Sequence, residues 1–261
     1  MIKLIATDID GTLVQDGGST VNPELYDVIL KLRGKGVQFA AASGRQWASI
    51  EALFEPIKEK IFYLSDNGAY VGCHGRNLFL NTVDRKLVID ILTDIKNTPG
   101  LDAMVSGPDV VYMDTRDQAF VDWIVDGYKF QVKQVEDITL VEDDFIKISA
   151  YKKSGVQEAT EELRKKYGDR LKMTISGDMW MDCMATGVSK GQAISILQES
   201  LDIKPEETMA FGDQLNDMEM LGRAYYSFAV ANARPEVKAA ARFRADSNKH
   251  DGVLKILKEL L

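Results

Sequence analysis

The feature that most narrows the fold is an alternation of two periods along the first eighty residues. Short apolar runs, each long enough for one buried strand, are separated by segments with apolar residues at helical spacing. Ile2 to Thr7 reads as a buried strand. Asn22-Pro23 then supplies a helix cap and a proline at the first helical position. Leu25, Val28, Ile29 and Leu32 share one helical face, and Gly34 and Gly36 end the helix. Val37 to Ala42 is the next strand, Gln46 to Phe54 a helix, and Ile61 to Leu64 a third strand. Strands and helices in strict alternation require right-handed crossovers and give a parallel sheet.

The same grammar returns at the end of the chain. Gly191 opens a helix with Ala193, Ile194, Leu197 and Leu201 inward, Thr208 to Phe211 is a strand, and Asp217 to Leu221 is a helical turn or two. Ser227 to Val230, Pro235 to Ala241 and the apolar face Val253, Ile256, Leu257 and Leu260 continue the pattern. Between these halves the pattern changes. Leu87 to Ile95, Ala119 to Val125 and Val156 to Tyr167 read as helices. Phe145 to Tyr151 alternates like a strand buried on one face. Lys172 to Ile175 and Met179 to Met184 read as two strands joined at Ser176-Gly177-Asp178. The expected fold is therefore α/β: a Rossmann-like parallel sheet core with helices on both faces, formed by residues 1–82 and 186–261. An α+β domain, residues 83–185, is inserted into it.

Composition limits the partners. Of 261 residues, 32 are Lys or Arg and 40 are Asp or Glu, a formal charge of −8. With no basic tract, the field repels a nucleic-acid backbone. No stretch approaches the ~20 apolar residues of a membrane span. Cys73 and Cys183 form no C-x-x-C pair, which favours a reduced, cytoplasmic protein.

Asp8-Ile9-Asp10-Gly11-Thr12-Leu13 follows the first strand directly. In an open parallel sheet, ligands bind beyond the carboxyl ends of the strands. Two carboxylates this close repel unless a cation or shared proton intervenes. The pair suits a hard cation such as Mg²⁺, although Asp and Gly also favour plain turns. After the second strand, the Ser43 hydroxyl and Gly44 amide can hydrogen-bond a phosphoryl oxygen near a helix start. Asp213, in Phe211-Gly212-Asp213-Gln214-Leu215-Asn216-Asp217, follows another short strand and can complete a metal site opened by Asp8.

These segments, with Gly187-Val188-Ser189-Lys190-Gly191, resemble the four motifs of the haloacid dehalogenase-like phosphohydrolases, in the family's order. The resemblance implies that Asp8 attacks phosphorus and becomes a transient aspartyl phosphate. Asp10 is then the general acid for the leaving oxygen and the base for water. Thr12 helps position Asp10 and the turn and belongs with the phosphate-binding set. Ser43 and Gly44 hold phosphate, while Arg45 either steadies the loop or faces the substrate. Lys190 neutralises the nucleophile and the phosphoryl group. Asp8, Asp10, Asp213 and Asp217 form the metal set, Asp217 directly or through water, and Asn216 touches phosphate or a metal-bound water.

Asp66-Asn67-Gly68-Ala69, Ala231-Asn232-Ala233-Arg234-Pro235 and His250-Asp251-Gly252-Val253 resemble the Cof-type branch, whose cap lies between motifs two and three. That implies a Mg²⁺-dependent phosphatase of small phosphorylated metabolites, commonly sugar phosphates, acting as a monomer or weak homodimer without nucleic acid or membrane. Within the cap, Trp180 and Asp182 share a strand face and could meet a sugar, with Trp180 better read as core. Two alternatives stay open: a phosphomutase, and a non-catalytic phosphate-sensing regulator.

Overall fold

Leu4–Asp8 forms β1, and all of it is buried. A strand covered on both faces has no polar side to alternate with, so Leu4, Ile5 and Ala6 are apolar in succession. Helix α1 (Glu24–Gly34) buries Leu25, Val28, Ile29 and Leu32. Its start is fixed by Asn22, whose Oδ1 accepts from the Glu24 amide at 3.0 Å, and by Pro23, already at helical angles. β2 (Gln38–Ala42), α2 (Trp47–Leu53) and β3 (Phe62–Ser65) follow. Two strands that the sequence pattern did not reveal come next, β4 (Tyr70–Cys73) and β5 (Arg76–Leu80).

The inserted segment carries α3 (Arg85–Lys96), β6 (Asp102–Ser106), β7 (Val111–Met113), α4 (Gln118–Asp122), β8 (Val132–Gln134), β9 (Lys147–Tyr151), α5 (Gln157–Tyr167), β10 (Leu171–Ser176) and β11 (Trp180–Ala185). The chain then returns through α6 (Lys190–Leu201), β12 (Thr208–Gly212), α7 (Met218–Gly222), β13 (Tyr226–Val230), α8 (Pro235–Ala240), β14 (Phe243–Ala245) and α9 (Gly252–Lys258).

This computed structural model describes residues 1–15, 20–176 and 178–261. Gly177, at the turn expected between β10 and β11, lies outside the described residues. The chain forms two units, Met1–Phe79 with Ser189–Leu261, and Leu80–Val188. These junctions fall three residues before and three after the changes of pattern in the sequence.

In the first unit an eight-stranded sheet runs β14-β13-β12-β1-β2-β3-β4-β5. From β14 to β3 all pairings are parallel, and β4 reverses against β3. Crossovers leave the centre in opposite directions, toward β3 and toward β14. With one hand kept, they place helices on opposite faces; α1 packs with α9, and α6 with α7. The strand order reverses between β1 and β12, where Thr7 pairs with Phe211. That topological switch point opens a crevice at the carboxyl ends, the usual ligand position in such sheets.

The second unit is a six-stranded sheet, β10-β11-β9-β6-β7-β8, antiparallel except between β7 and β8. Val88, Ile91 and Leu92 of α3 and Leu163 of α5 pack with Ile148, Met181 and Cys183. Alternation sends Trp180, Asp182 and Met184 to the opposite face. There Trp180 stacks on Phe120 and Trp123 at 6.0 and 5.9 Å between ring centroids. Among the described residues, no helix is long and apolar enough to cross a membrane.

Candidate active site

Asp8 ends β1 at the switch point with 4% of its surface exposed. Lys190 reaches it from the first turn of α6, whose N-cap Ser189 accepts from the Gln192 amide at 3.0 Å. That cap fixes where the helix begins and so where the lysine emerges. Lys190 Nζ, 1% exposed, donates to Asp8 Oδ1 at 2.5 Å and to Asp217 Oδ1 at 2.7 Å. Asp217 Oδ2 accepts from the Asp213 and Gln214 amides, both at 2.9 Å. Asp213 Oδ1 accepts from Thr12 Oγ1 at 2.7 Å, and its Oδ2 from Gln214 Nε2 at 3.1 Å. Gly11 allows this closeness. It sits at φ +84°, and a Cβ there would lie 2.4 Å from Asp213 Oδ2.

Asp8, Asp213 and Asp217 each present an oxygen within 4.8 Å of the others. Burial pushes the Asp8 carboxyl well above the usual carboxylate range, and Asp217 adds to the rise while Lys190 opposes it. Asp213 is raised by burial too, with its Thr12 hydrogen bond pulling back. Burial works to lower the Lys190 ammonium, but Asp217 and Asp8 more than reverse it and hold it above the usual lysine range. One ammonium cannot balance three buried carboxylates. Asp8 Oδ2 is also buried with no hydrogen-bond partner. An all-oxygen, negatively charged set with an open lone pair fits a hard divalent cation.

Asp10 is placed differently. Its carboxylate takes two bonds from Arg45, Nε to Oδ2 at 2.8 Å and NH2 to Oδ1 at 2.6 Å. Its side chain is therefore not one of the three that cluster, unlike the metal set expected from sequence. Arg45, which the sequence leaves between the loop and the substrate, steadies Asp10. Ser43 Oγ accepts from the Arg45 amide at 3.1 Å, which leaves its O–H to donate. Asn216 Nδ2 donates to Asn67 Oδ1 at 3.0 Å. Gly44 lies beside the same Asn67, whose amide group would be 3.4 Å from a Cβ placed there. Thr12 binds Asp213, not the turn's own Asp10.

The contacts of two residues were not foreseen. Gln214 helps hold both Asp213 and Asp217, and Asn232 Nδ2 donates to the Gly11 carbonyl at 2.7 Å. Asn232 lies in a segment whose resemblance was visible without a role. Gln214 carried no signal, because its use depends on the tight turn that follows it.

Residues 5–257 match the haloacid dehalogenase-like hydrolase family. The chain belongs to that family. A 5-amino-6-(5-phospho-D-ribitylamino)uracil phosphatase of Escherichia coli is 27% identical, over 100% of this chain and 96% of the relative. A phosphatase of the same name from Bacillus subtilis is 30% identical over 98% and 95%. A solved structure from Eubacterium rectale has a TM-score of 0.93 at 37% identity, covering 100% of this chain and 99% of the other. The protein is a phosphatase of the Cof-type branch. In family terms, the four motifs stand at the ends of β1 and β2, at the start of α6, and after β12.

Proposed function

We propose that the protein is a Mg²⁺-dependent phosphomonoesterase of small phosphorylated metabolites, working through an aspartyl phosphate on Asp8. The observation that carries this is Asp8 itself. One oxygen is anchored by Lys190, and the other is buried without a partner at a strand's carboxyl end.

The Asp8 carboxylate attacks phosphorus, forming an O–P bond as the ester P–O bond breaks. Asp10 gives its proton to the leaving oxygen. Two Arg45 bonds hold Asp10, so one must be released before that oxygen can pass on a proton. Asp10 then takes a proton from water, whose oxygen attacks phosphorus. The Asp8–phosphorus bond breaks and inorganic phosphate leaves. Ser43 O–H, the Gly44 amide and Asn216 orient the phosphoryl group, and Lys190 fixes the nucleophile. Asp8 and Asp213, with Asp217 directly or through water, would hold the metal. When bound, Mg²⁺ supplies the positive charge that offsets repulsion between carboxylate and phosphate.

Both named relatives act on a phosphorylated sugar alcohol joined to a uracil, which supports phosphorylated sugars and polyols as the substrate class. The inserted unit is proposed to choose among them. There Asp182, on the sheet face with Trp180, accepts from Ser149 Oγ at 2.5 Å. Buried free thiols at Cys73 and Cys183 fit a cytoplasmic setting.

The test is phosphate release, with Mg²⁺, from a panel of sugar, polyol, nucleotide and cofactor monoesters, including the relatives' substrate. Steady release from some of them is expected. Isomerisation without net release would make the protein a mutase, and binding without either would make it a sensor.

Asp10→Asn should separate leaving groups. In single-turnover phosphoenzyme formation, loss should be ~10²–10⁴-fold for alkyl phosphates and far smaller for an aryl phosphate, which departs without a proton. Equal loss for both would remove Asp10 from the acid role.

Chelation should abolish activity, and Mg²⁺ should restore it. Mg²⁺ should also raise the thermal midpoint, by an amount equivalent to about 2.7 kcal/mol at a hundredfold excess over Kd. The pH dependence has a definite sign. Asp8 and Asp213 are raised in the folded protein. Their destabilising contribution is absent below the unfolded carboxylate range, grows as pH rises above it, and is complete once pH passes the folded pKa values. The metal competes with those protons, so Mg²⁺ stabilisation should grow with pH over the same window. Full activity in metal-free buffer, or stabilisation that falls with pH there, would contradict the assignment.

A further inference from the structure

Six described non-glycine residues have a positive φ in the left-handed region. His74, Lys129, Asp202 and Asp251 are exposed. Asp66 and Asn67 are different: they are consecutive, at φ 48° and 57°, and only 1% and 5% exposed. Gly68 follows at φ 93°, so three left-handed residues run in a row. Non-glycine residues avoid this region, and buried examples persist only where their surroundings hold them.

Four contacts do the holding. The Asp66 amide donates to the Arg45 carbonyl at 3.0 Å, and the Asn67 amide to the Ser43 carbonyl at 2.9 Å. Asn67 Oδ1 accepts from Asn216 Nδ2 at 3.0 Å. Gly68 presses on α6, where a Cβ would fall 2.4 Å from the carbonyl of Ser189, the cap residue before Lys190. A single three-residue segment therefore touches the loop after β2, the loop after β12 and the start of α6.

We propose that Asp66-Asn67-Gly68 is a strained clamp that sets the phosphoryl pocket, with Asn67 as its positioning residue. Its backbone holds Ser43, and its carboxamide holds Asn216. One N–H of Asn216 is spent on Asn67, and the second is the one left for the phosphoryl group. The clamp rests on the reading above, that Ser43 and Asn216 serve the phosphoryl group. Asparagine is the residue for the task because it tolerates the left-handed backbone and still brings a carboxamide.

Asn67→Gly separates the two roles. Glycine takes the same backbone without steric cost, so the amide bond to Ser43 persists and only the carboxamide is lost. In the Mg²⁺-loaded enzyme with an aryl phosphate, kcat/KM should fall ~30-fold and the Ki of inorganic phosphate should rise ~10-fold, a scale set by small misplacement of binding groups. The thermal midpoint should stay within about 3 °C of wild type, since relief of strain and added unfolded-chain freedom oppose each other. Added to Asn216→Ala, the same change should cost little more than Asn216→Ala alone, because the two share one interaction.

Unchanged kcat/KM and Ki in Asn67→Gly, or fully additive losses in the double variant, would overturn the clamp. A loss of activity matched by a large fall in thermal midpoint would reduce Asn67 to a folding role and overturn it too. Ser43→Ala is the control on the underlying reading. If it leaves the phosphate Ki unchanged, the pocket is wrongly placed and the clamp falls with it. If Ser43→Ala raises the Ki and Asn67→Gly does not, only the clamp falls.

Discussion

Asp8→Asn should lower kcat by ~10⁴-fold or more, with the thermal midpoint unchanged or raised. An amide oxygen is no nucleophile toward phosphorus, so the covalent route closes. The fold has little to lose. Asn keeps an oxygen at the Oδ1 position to accept from Lys190, which also stays bonded to Asp217. The ionised carboxylate is the form that burial and Asp217 disfavour, so a neutral isostere relieves a cost of folding. A nucleophile of this kind is a place where function is maintained against stability. Measuring single-turnover phosphoenzyme formation beside a thermal scan checks both halves, with a mass determination to exclude deamidation. Turnover within tenfold of wild type would end the assignment. A collapse of the midpoint would show that the Asp8 charge holds the site together.

The candidate site was legible in the sequence because it sits where local pattern is strongest. Asp8 and Asp213 each stand at the end of a short, fully buried strand, and Lys190 follows a serine cap. Strand ends and helix starts are positions that short-range sequence specifies. What was hidden depends on tertiary pairing. β5 is mostly exposed, and Arg-Asn-Leu-Phe-Leu shows no alternation. β7 and β8 are three residues each, too short for a periodic signal. The partner of Arg45 was equally hidden. Two positions separate it from Ser43, and whether it points to phosphate or to Asp10 depends on a loop thirty-five residues earlier in the chain. Asn67-Gly68 reads equally as a plain turn or as a loop near the active site until Ser43, Asn216 and Ser189 are seen around it.

Lys190→Ala should damage stability and rate together, which distinguishes it from Asp8→Asn. Lys190 is the single ammonium among Asp8, Asp213 and Asp217 in the described site, and it binds two of them. Removing one partner of a buried charge set costs about 3–5 kcal/mol, because the remaining charges have neither water nor a counterion. The defect should be larger at pH 8 than at pH 5. Without the ammonium the carboxyls hold their protons more tightly, so acid neutralises what the lysine no longer balances. Mg²⁺ should recover part of the midpoint by supplying charge to the same carboxylates. It should not recover the rate, since Asp8 Oδ1 loses the bond that fixes the nucleophile. We expect kcat/KM to fall ~10³-fold for every ester tested, the scale for one preorganised electrostatic donor. Asp182→Ala, in the inserted unit, should instead reorder the esters. If Lys190→Ala changes the ranking among esters, or Mg²⁺ restores its full rate, the lysine acts on the leaving group or the metal and not on the nucleophile.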